Sequence, residues 1–534
     1  MSISAEKLRF DEYTMWVDLS DGRTLGVPLA WFPRLLRANP EQRMDYRISA
    51  KGCTHFAARG EWMIDCSAAA MIRYYCLEEE AYRDDGERFA AGRVRRRAPG
   101  KKGGLLLSRM VARESICLRR LAGGRRGGIV GFSRFLANPR VTVEALIEGW
   151  GEEIAEACAG RHVLAIQDTS EINFATTKER NRGLGEIGKG VGRGVLLHAM
   201  LGLDAETGGI LGLASGKVWT RHGRVTTPHK KRPLSEKETE RWLTTPETAK
   251  AVLRRATLVT EISDRESDIY EKWARLPEPG FHILTRANKD RSIKEGDGNL
   301  STAPLLSAGT ALVELRARPG RPARTAQLVA HFGRVTLKRP GHLGKELAKM
   351  IEVSLVEVSE VDAPADAEPI VWRLLTTHAI EDAAMAWRVV GWYRQRWTIE
   401  QFFRTLKQQG LQLEDSQLET AERLIKLTAI AARAACTIMQ LVQARDGQSA
   451  QPAKIVFSSA EIDTLHALLP EVEGRTALQK NPHVTNSLAW AGWIIAKLGG
   501  WDGYPKSKPP GPITFRHGLE YFRSIAYGWR LRNV

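Results

Sequence analysis

The 534-residue sequence has little cysteine: Cys53, Cys66, Cys76, Cys117, Cys158 and Cys436 lie far apart, and no two form a CxxC pair. That spacing argues against a zinc site and against a disulfide framework, and it suits a reducing cytoplasm. A long uninterrupted apolar run is missing too, because the most apolar stretch, LIKLTAIAARAACTIMQLVQA at 424–444, contains Lys426 and Arg433. The N-terminal MSISAEKLRFDEYTMW does not follow the basic, apolar, small-residue order of a secretion signal. Neither secretion nor membrane spanning is expected.

Acidic residues are outnumbered, 62 Asp and Glu against 79 Lys and Arg, for a formal net charge of +17. An excess of this size favours a polyanionic partner such as nucleic acid. A chain of this length exceeds one ordinary core, so roughly two to four domains are expected.

Residues 1–53 read as a small α+β module of unknown function. Within it MWVDLSDGRTLGVPLAWFPRLL alternates apolar residues around an Asp-Gly turn before a short helical pattern, and it resembles a small bacterial domain of unknown function. Residues 54–131 change character. Crowded with Arg and Gly and without sustained period from about residue 77, they are expected to be an irregular basic region, either a DNA-binding arm or a basic linker.

Regular patterning returns at FSRFLANPRVTVEALIEGW (132–150), a helical pair broken at Pro139, and at RHVLAIQDTS (161–170), an apolar strand running into Asp168. RATLVTEISDRESDIYEKW (255–273) repeats the pattern, from apolar strand to Asp264 to helix. The segment 280–375 alternates β-like runs with turn residues, as an antiparallel insertion would, and 411–534 is mainly helical. NRGLGEIGKGVGRG contains GxGxxG at Gly183, Gly185 and Gly188, but GVLLHAML after it reads as a strand, so this is a loop and not a dinucleotide site.

GWYRQRWTIEQFFRTLKQQG (391–410) has a helix rhythm interrupted by polar residues. At 100° per residue Tyr393, Arg396, Glu400 and Lys407 fall within an arc of about 60°, so all four side chains face one object. A solvated helix face carries charges at the same spacing, so partners elsewhere are needed to decide. Asp168 and Asp264 are those partners: each stands where an apolar strand runs out, and with Glu400 they make a candidate site for divalent ions with hard oxygen ligands. Either aspartate would serve equally as a helix or turn N-cap.

Tyr393, Arg396, Glu400 and Lys407 together spell Tyr, two residues, Arg, three residues, Glu, six residues, Lys. This resembles the signature of insertion-sequence-four-type DDE transposases, the type of the transposon-five transposase. The likeness extends to IQDTS, to SDRESDIYEKW and to VWRLLTTHAIEDAAMAWRVVGWYRQRW, over roughly 132–534. It implies an RNase H-like catalytic core at 132–410 with the β-rich insertion at about 280–375, and a helical C-terminal region, 411–534, that pairs two subunits in the DNA complex. Asp168, Asp264 and Glu400 would be the catalytic acids and would hold two Mg²⁺ ions, with Mn²⁺ as a substitute. Tyr393, Arg396 and Lys407 would hold end phosphates, Trp372 would stack on a flipped base, and Arg286, Lys289 and Arg291 would contact end DNA.

By that resemblance the protein is a cut-and-paste transposase of bacterial cytoplasm, associated with the nucleoid when bound to double-stranded DNA, and it passes through a hairpin intermediate. Residues 54–131 depart from the family pattern, where a helical end-reading domain is expected. Translation of part of this stretch out of frame would account for that. An inactive transposase-derived DNA-binding protein and a nuclease that cuts without joining are the alternative functions.

Overall fold

The computed structural model describes residues 99–532 apart from 175–182, 189–191, 222, 224–231, 316–323, 365–368, 448, 450 and 505–508, and before residue 66 the elements named below with a few flanking positions. The chain divides into two compact units, Met1–Asp85 and Gly86–Val534.

In the first unit β1 (Ala5–Phe10), β2 (Thr14–Leu19) and β3 (Thr24–Pro28) form an antiparallel sheet. Leu8, Met15 and Val17 alternate onto its buried face, as the sequence pattern requires. Across the other face Arg9 grips Asp18 through two nitrogens, at 3.1 and 2.9 Å, and Thr24 donates to the same carboxylate at 2.7 Å. Gly22, with φ +82°, supplies the left-handed residue of the expected turn. The module extends past the expected boundary at residue 53: after α1 (Pro40–Met44) a second antiparallel sheet follows, of β4 (Tyr46–Ile48), β5 (Cys53–Phe56) and β6 (Trp62–Asp65).

The irregular stretch expected up to residue 131 is corrected from Pro99 onward. Helices α2 (Pro99–Arg113), α3 (Leu118–Leu121) and α4 (Arg126–Ala137) occupy it, with Leu106, Met110, Leu121 and Leu136 fully buried. Leu106 and Met110 stand four apart on one helix face, but the Arg and Gly between the apolar positions mask that period in the sequence. Gly103 lets the Phe135 ring close to 3.0 Å of where a Cβ would stand, so α2 and α4 pack closely. The remainder of the basic region, 66–98, lies outside the described residues.

The second unit is built on one sheet of ten strands: β7 (His162–Asn173), β8 (Gly185–Ile187), β9 (Gly192–Asp204), β10 (Ile210–Trp219), β11 (Leu258–Ser263), β12 (Phe281–Arg286), β13 (Leu306–Leu315), β14 (Arg324–Lys338), β15 (Met350–Val361) and β16 (Val371–Thr376). Their order is β10-β9-β7-β11-β12-β16-β15-β14-β13, with β8 on β9. β11 runs parallel to β7 and β12, and the other neighbours are antiparallel. The antiparallel segment expected at 280–375 is therefore not set apart from the core. β12 bridges β11 and β16, so the segment continues the same sheet.

Helices cover this sheet: α5 (Val143–Glu148), α6 (Gly151–Ala157), α7 (Arg241–Val252), α8 (Tyr270–Arg275), α9 (Ala383–Arg394) and α10 (Trp397–Arg404), followed by α11 (Ala421–Arg445), α12 (Ser459–Val472), α13 (Leu488–Leu498) and α14 (Pro512–Arg532). By length and composition α11 suffices to cross a membrane, yet its most apolar window is 89% buried inside the protein. Two of its cations are paired there: Lys426 with Glu422 at 2.5 Å, and Arg433 with Glu153 at 2.7 Å. Trp490 and Trp493 of α13 are buried core residues.

Candidate active site

Asp168 lies inside β7, not at its end. The parallel pairing with β11 stops at Ile166 and Ile262, and β7 runs on to Asn173 against β9 alone. Losing its neighbour on one side changes β7 from five consecutive buried residues, Val163–Gln167, to half-buried ones from Asp168. Asp264 is the first residue beyond β11, and its Oδ1 accepts the Glu266 amide at 2.9 Å, capping a 3₁₀ turn. The cap and the site position coincide in one residue. Both aspartates thus stand at the carboxyl ends of paired parallel strands, where a sheet offers polar groups to a cleft.

The third acid arrives on a helix that is less regular than its sequence period implies. α9 ends at Arg394, Gln395 and Arg396 form a turn, α10 restarts at Trp397, and residues 405–409 widen into a π-helical turn. From that turn the Arg396 guanidinium reaches Asp168 Oδ2 at 3.3 Å and Glu400 Oε1, four residues on, at 2.6 Å. The π turn, a feature often found at functional sites, carries Lys407, whose Nζ donates to the Glu171 carbonyl of β7 at 2.7 Å. Tyr393 is buried, with its hydroxyl in hydrogen-bonding reach of Arg396 and its ring edge-on to Trp372 of β16 at 5.6 Å.

Electrostatics joins these groups. Burial, then the neighbouring Asp264 charge and that of Glu400, push the Asp168 carboxyl up to about 7 against the pull of the Thr169 amide and Arg396. Burial raises the Tyr393 phenol, Asp264 adds to the rise, and Arg396 and Arg286 oppose it. Burial works against the Arg396 charge, but Tyr393, Glu400 and Asp168 outweigh it and raise its affinity for the proton.

Three carboxylates are hard oxygen donors of the kind that Mg²⁺ and Mn²⁺ take. Among the described residues no three His, Cys, Asp or Glu side chains stand at the spacing of a formed metal site. The Arg396 guanidinium lies between Asp168 and Glu400. The donor chemistry fits a divalent ion, which Asp168, Asp264 and Glu400 could hold.

The structure brings Tyr393, Arg396, Glu400, Lys407 and Trp372 to this side of the sheet with Asp168 and Asp264. It treats the basic loop after β12 less uniformly. Arg291 is committed to the fold, gripping the buried Asp268 through Nε and an NH2 nitrogen at 2.8–3.1 Å. Arg286 donates to the Val371 carbonyl at 2.9 Å near Tyr393, and Lys289 is exposed. Arg241, which no motif in the sequence marks, is a further cation beside the site: its Nε donates to Thr169 at 2.8 Å, and the Asp168 charge acts on it. Only the Trp242 ring next to it in sequence, over which its guanidinium lies at 5.2 Å, hinted at burial.

Residues 230–436 match the family described as transposase DDE domain, and residues 5–61 match a family described as protein of unknown function (DUF2442). The stretch similar to the transposase DDE domain takes in Asp264, Glu400 and the Tyr393 to Lys407 segment. Asp168 precedes the matched residues and joins the site by geometry alone.

Proposed function

We propose, on the premise of that transposase DDE domain, that the protein is a DNA transposase of the insertion-sequence-four type that cleaves the ends of its element and joins them to target DNA. The observation that carries this reading is the Arg396 guanidinium bridging Asp168 and Glu400, with Asp264 near enough for its charge to act on Asp168, on strands and a helix far apart in sequence. The order β10-β9-β7-β11-β12, with β7, β11 and β12 parallel, supports an RNase H-like core.

Divalent ions bound by the three carboxylates would activate an attacking hydroxyl and stabilise the leaving oxygen. The chain's own groups orient the DNA. Arg396 offers a planar, bidentate contact to a phosphate, Lys407 a point charge, and Tyr393 a hydrogen bond without charge. Trp372, half-buried against Tyr393, presents a ring on which an unstacked base of the end can rest. Double-stranded DNA is the partner, two copies of the chain act in the DNA complex, and the protein works in the cytoplasm on the nucleoid. Lys102, Arg119, Arg120, Arg126 and Arg134, exposed on the helices before the core, agree with a polyanionic partner.

The test incubates purified protein with a labelled duplex carrying the element's own terminal inverted repeat, with and without Mg²⁺. Nicks, hairpins and joined products that require Mg²⁺ and vanish in Glu400→Ala are expected. Soluble, folded protein that binds the duplex without cutting it would overturn the proposal in favour of an inactive DNA-binding descendant, and cutting without joining would leave a nuclease.

A further inference from the structure

The two strands that carry Asp168 and Asp264 turn a second set of side chains to the opposite face of the sheet, and that set is polar and fully buried. Gln167 of β7 and Glu261 and Ser263 of β11 are each 0% exposed, as are His198 of β9 and Lys272 of α8. A layer against two covering helices is ordinarily apolar, and charges are almost never fully buried unless paired.

The hydrogen bonds run in one direction across the sheet. Arg241 Nε donates to Thr169 Oγ1 at 2.8 Å, and the Thr169 hydroxyl lies 2.8 Å from His198 Nδ1. His198 Nε2 is 2.9 Å from Gln167 Oε1, and the Gln167 amide donates to Glu261 Oε1 at 2.7 Å. Because Gln167 presents its oxygen to His198, the imidazole carries its proton on Nε2 and accepts from Thr169 on Nδ1. From the far side Lys272 Nζ meets Glu261 Oε2 at 2.7 Å and donates to Ser263, Ser267 and Thr285 at 2.7, 3.0 and 3.2 Å. Ser267 in turn donates to the Asp264 carbonyl at 3.1 Å.

The chain passes through residues beside both acids: Gln167 and Thr169 flank Asp168, and Ser263 and Ser267 hold the turn of Asp264. Replacing a buried ion pair by well-packed apolar groups is often neutral or stabilising, so stability alone does not account for one beneath the site. A connected network with its hydrogen bonds made does, however, hold its members in a single geometry.

We infer that Lys272 and Glu261, with the Gln167–His198–Thr169 chain, are positioning residues that set the separation and orientation of Asp168 and Asp264 from the far side of the sheet. The inference rests on the metal-site reading proposed above. Outer-shell partners of ligating carboxylates typically contribute about 10- to 100-fold in metal affinity or activity.

The test is the double variant Lys272→Met/Glu261→Met, which replaces the ion pair by apolar groups of similar size. Four quantities are compared with wild type: melting temperature, affinity for end DNA without metal, Mn²⁺ affinity by titration calorimetry, and the rate of Mg²⁺-dependent end cleavage. Unchanged or raised melting temperature and unchanged DNA affinity are expected, with Mn²⁺ affinity and cleavage rate both down about 10- to 100-fold. Should the double variant not fold, Thr169→Val cuts only the links to Arg241 and His198, and the same two losses at about 10-fold are expected. A folded variant with wild-type Mn²⁺ affinity and rate overturns the inference alone. Wild-type protein that neither binds Mn²⁺ nor cleaves overturns the metal-site reading and this inference with it.

Discussion

His378, just past β16, stacks on His282 with ring centroids 4.0 Å apart and stands near His162 and Trp392, at 6.2 and 5.0 Å. Its Nε2 shares the Thr260 hydroxyl with His162, at 2.7 and 2.8 Å. Burial, then the charges of His282 and His162, push His378 down to about 3. Burial, His282 and Arg388 push His162 down to about 4 against Asp204. An unfolded histidine titrates near 6.5, so on acidification the unfolded chain takes up protons that the fold refuses, and stability falls as pH drops below about 6.5. At pH 5 the cost at His378 is 1.5 pH units at 1.36 kcal/mol each, or about 2 kcal/mol. Asp168, raised to about 7, works in the opposite direction by gaining a proton in the fold over the same range. The comparison that isolates the histidine is therefore wild type against His378→Asn, since Asp168 is common to both. Melting temperature is measured from pH 7.5 to 5, where about 2 kcal/mol corresponds to roughly 2–4 °C for a unit of this size. Wild type should lose that much more than the variant as pH falls. Parallel curves for the two proteins would refute the reasoning.

Arg396→Ala leaves Asp168 and Glu400 facing each other without their shared cation. Unfolding in the presence of EDTA should show a loss of about 1–2 kcal/mol, reduced from the fully buried case because both carboxylates are partly exposed. Gly518 of α14 sits where a Cβ would stand 1.9 Å from the Ile495 carbonyl of α13, so Gly518→Val should cost about 2 kcal/mol or more, seen as a lower melting temperature. Burial pushes the thiols of Cys158 and Cys436 up while Cys117 is exposed, so iodoacetamide followed by peptide mapping should label Cys117 well before those two.

Much of the site was legible in the chain because it depends on local periods. The runs into Asp168 and Asp264 and the i, i+4 spacing of Arg396 and Glu400 are short-range patterns, and backbone geometry turns them directly into strand and helix faces. The basic helices after Pro99 were not legible, because helix formation there depends on Leu106 and Met110 finding a shared core while composition reads as Arg and Gly. Lys272 gave no signal either: in EKW it reads as a solvated helix cation, and only the fold around α8 buries it beside Glu261.

The sequence by itself determined the strand-then-acid order and the spacing of the candidate acid and cations from Tyr393 to Lys407, all encoded within a few residues of each position. Tertiary structure alone decided that β11 stops before β7 does and opens the sheet beside Asp168, and that Asp168 comes to the guanidinium that Glu400 shares. It alone decided as well that an ion pair lies behind both acids. These outcomes depend on which distant segments become neighbours, and burial and charge pairing across such distances have no period along the chain.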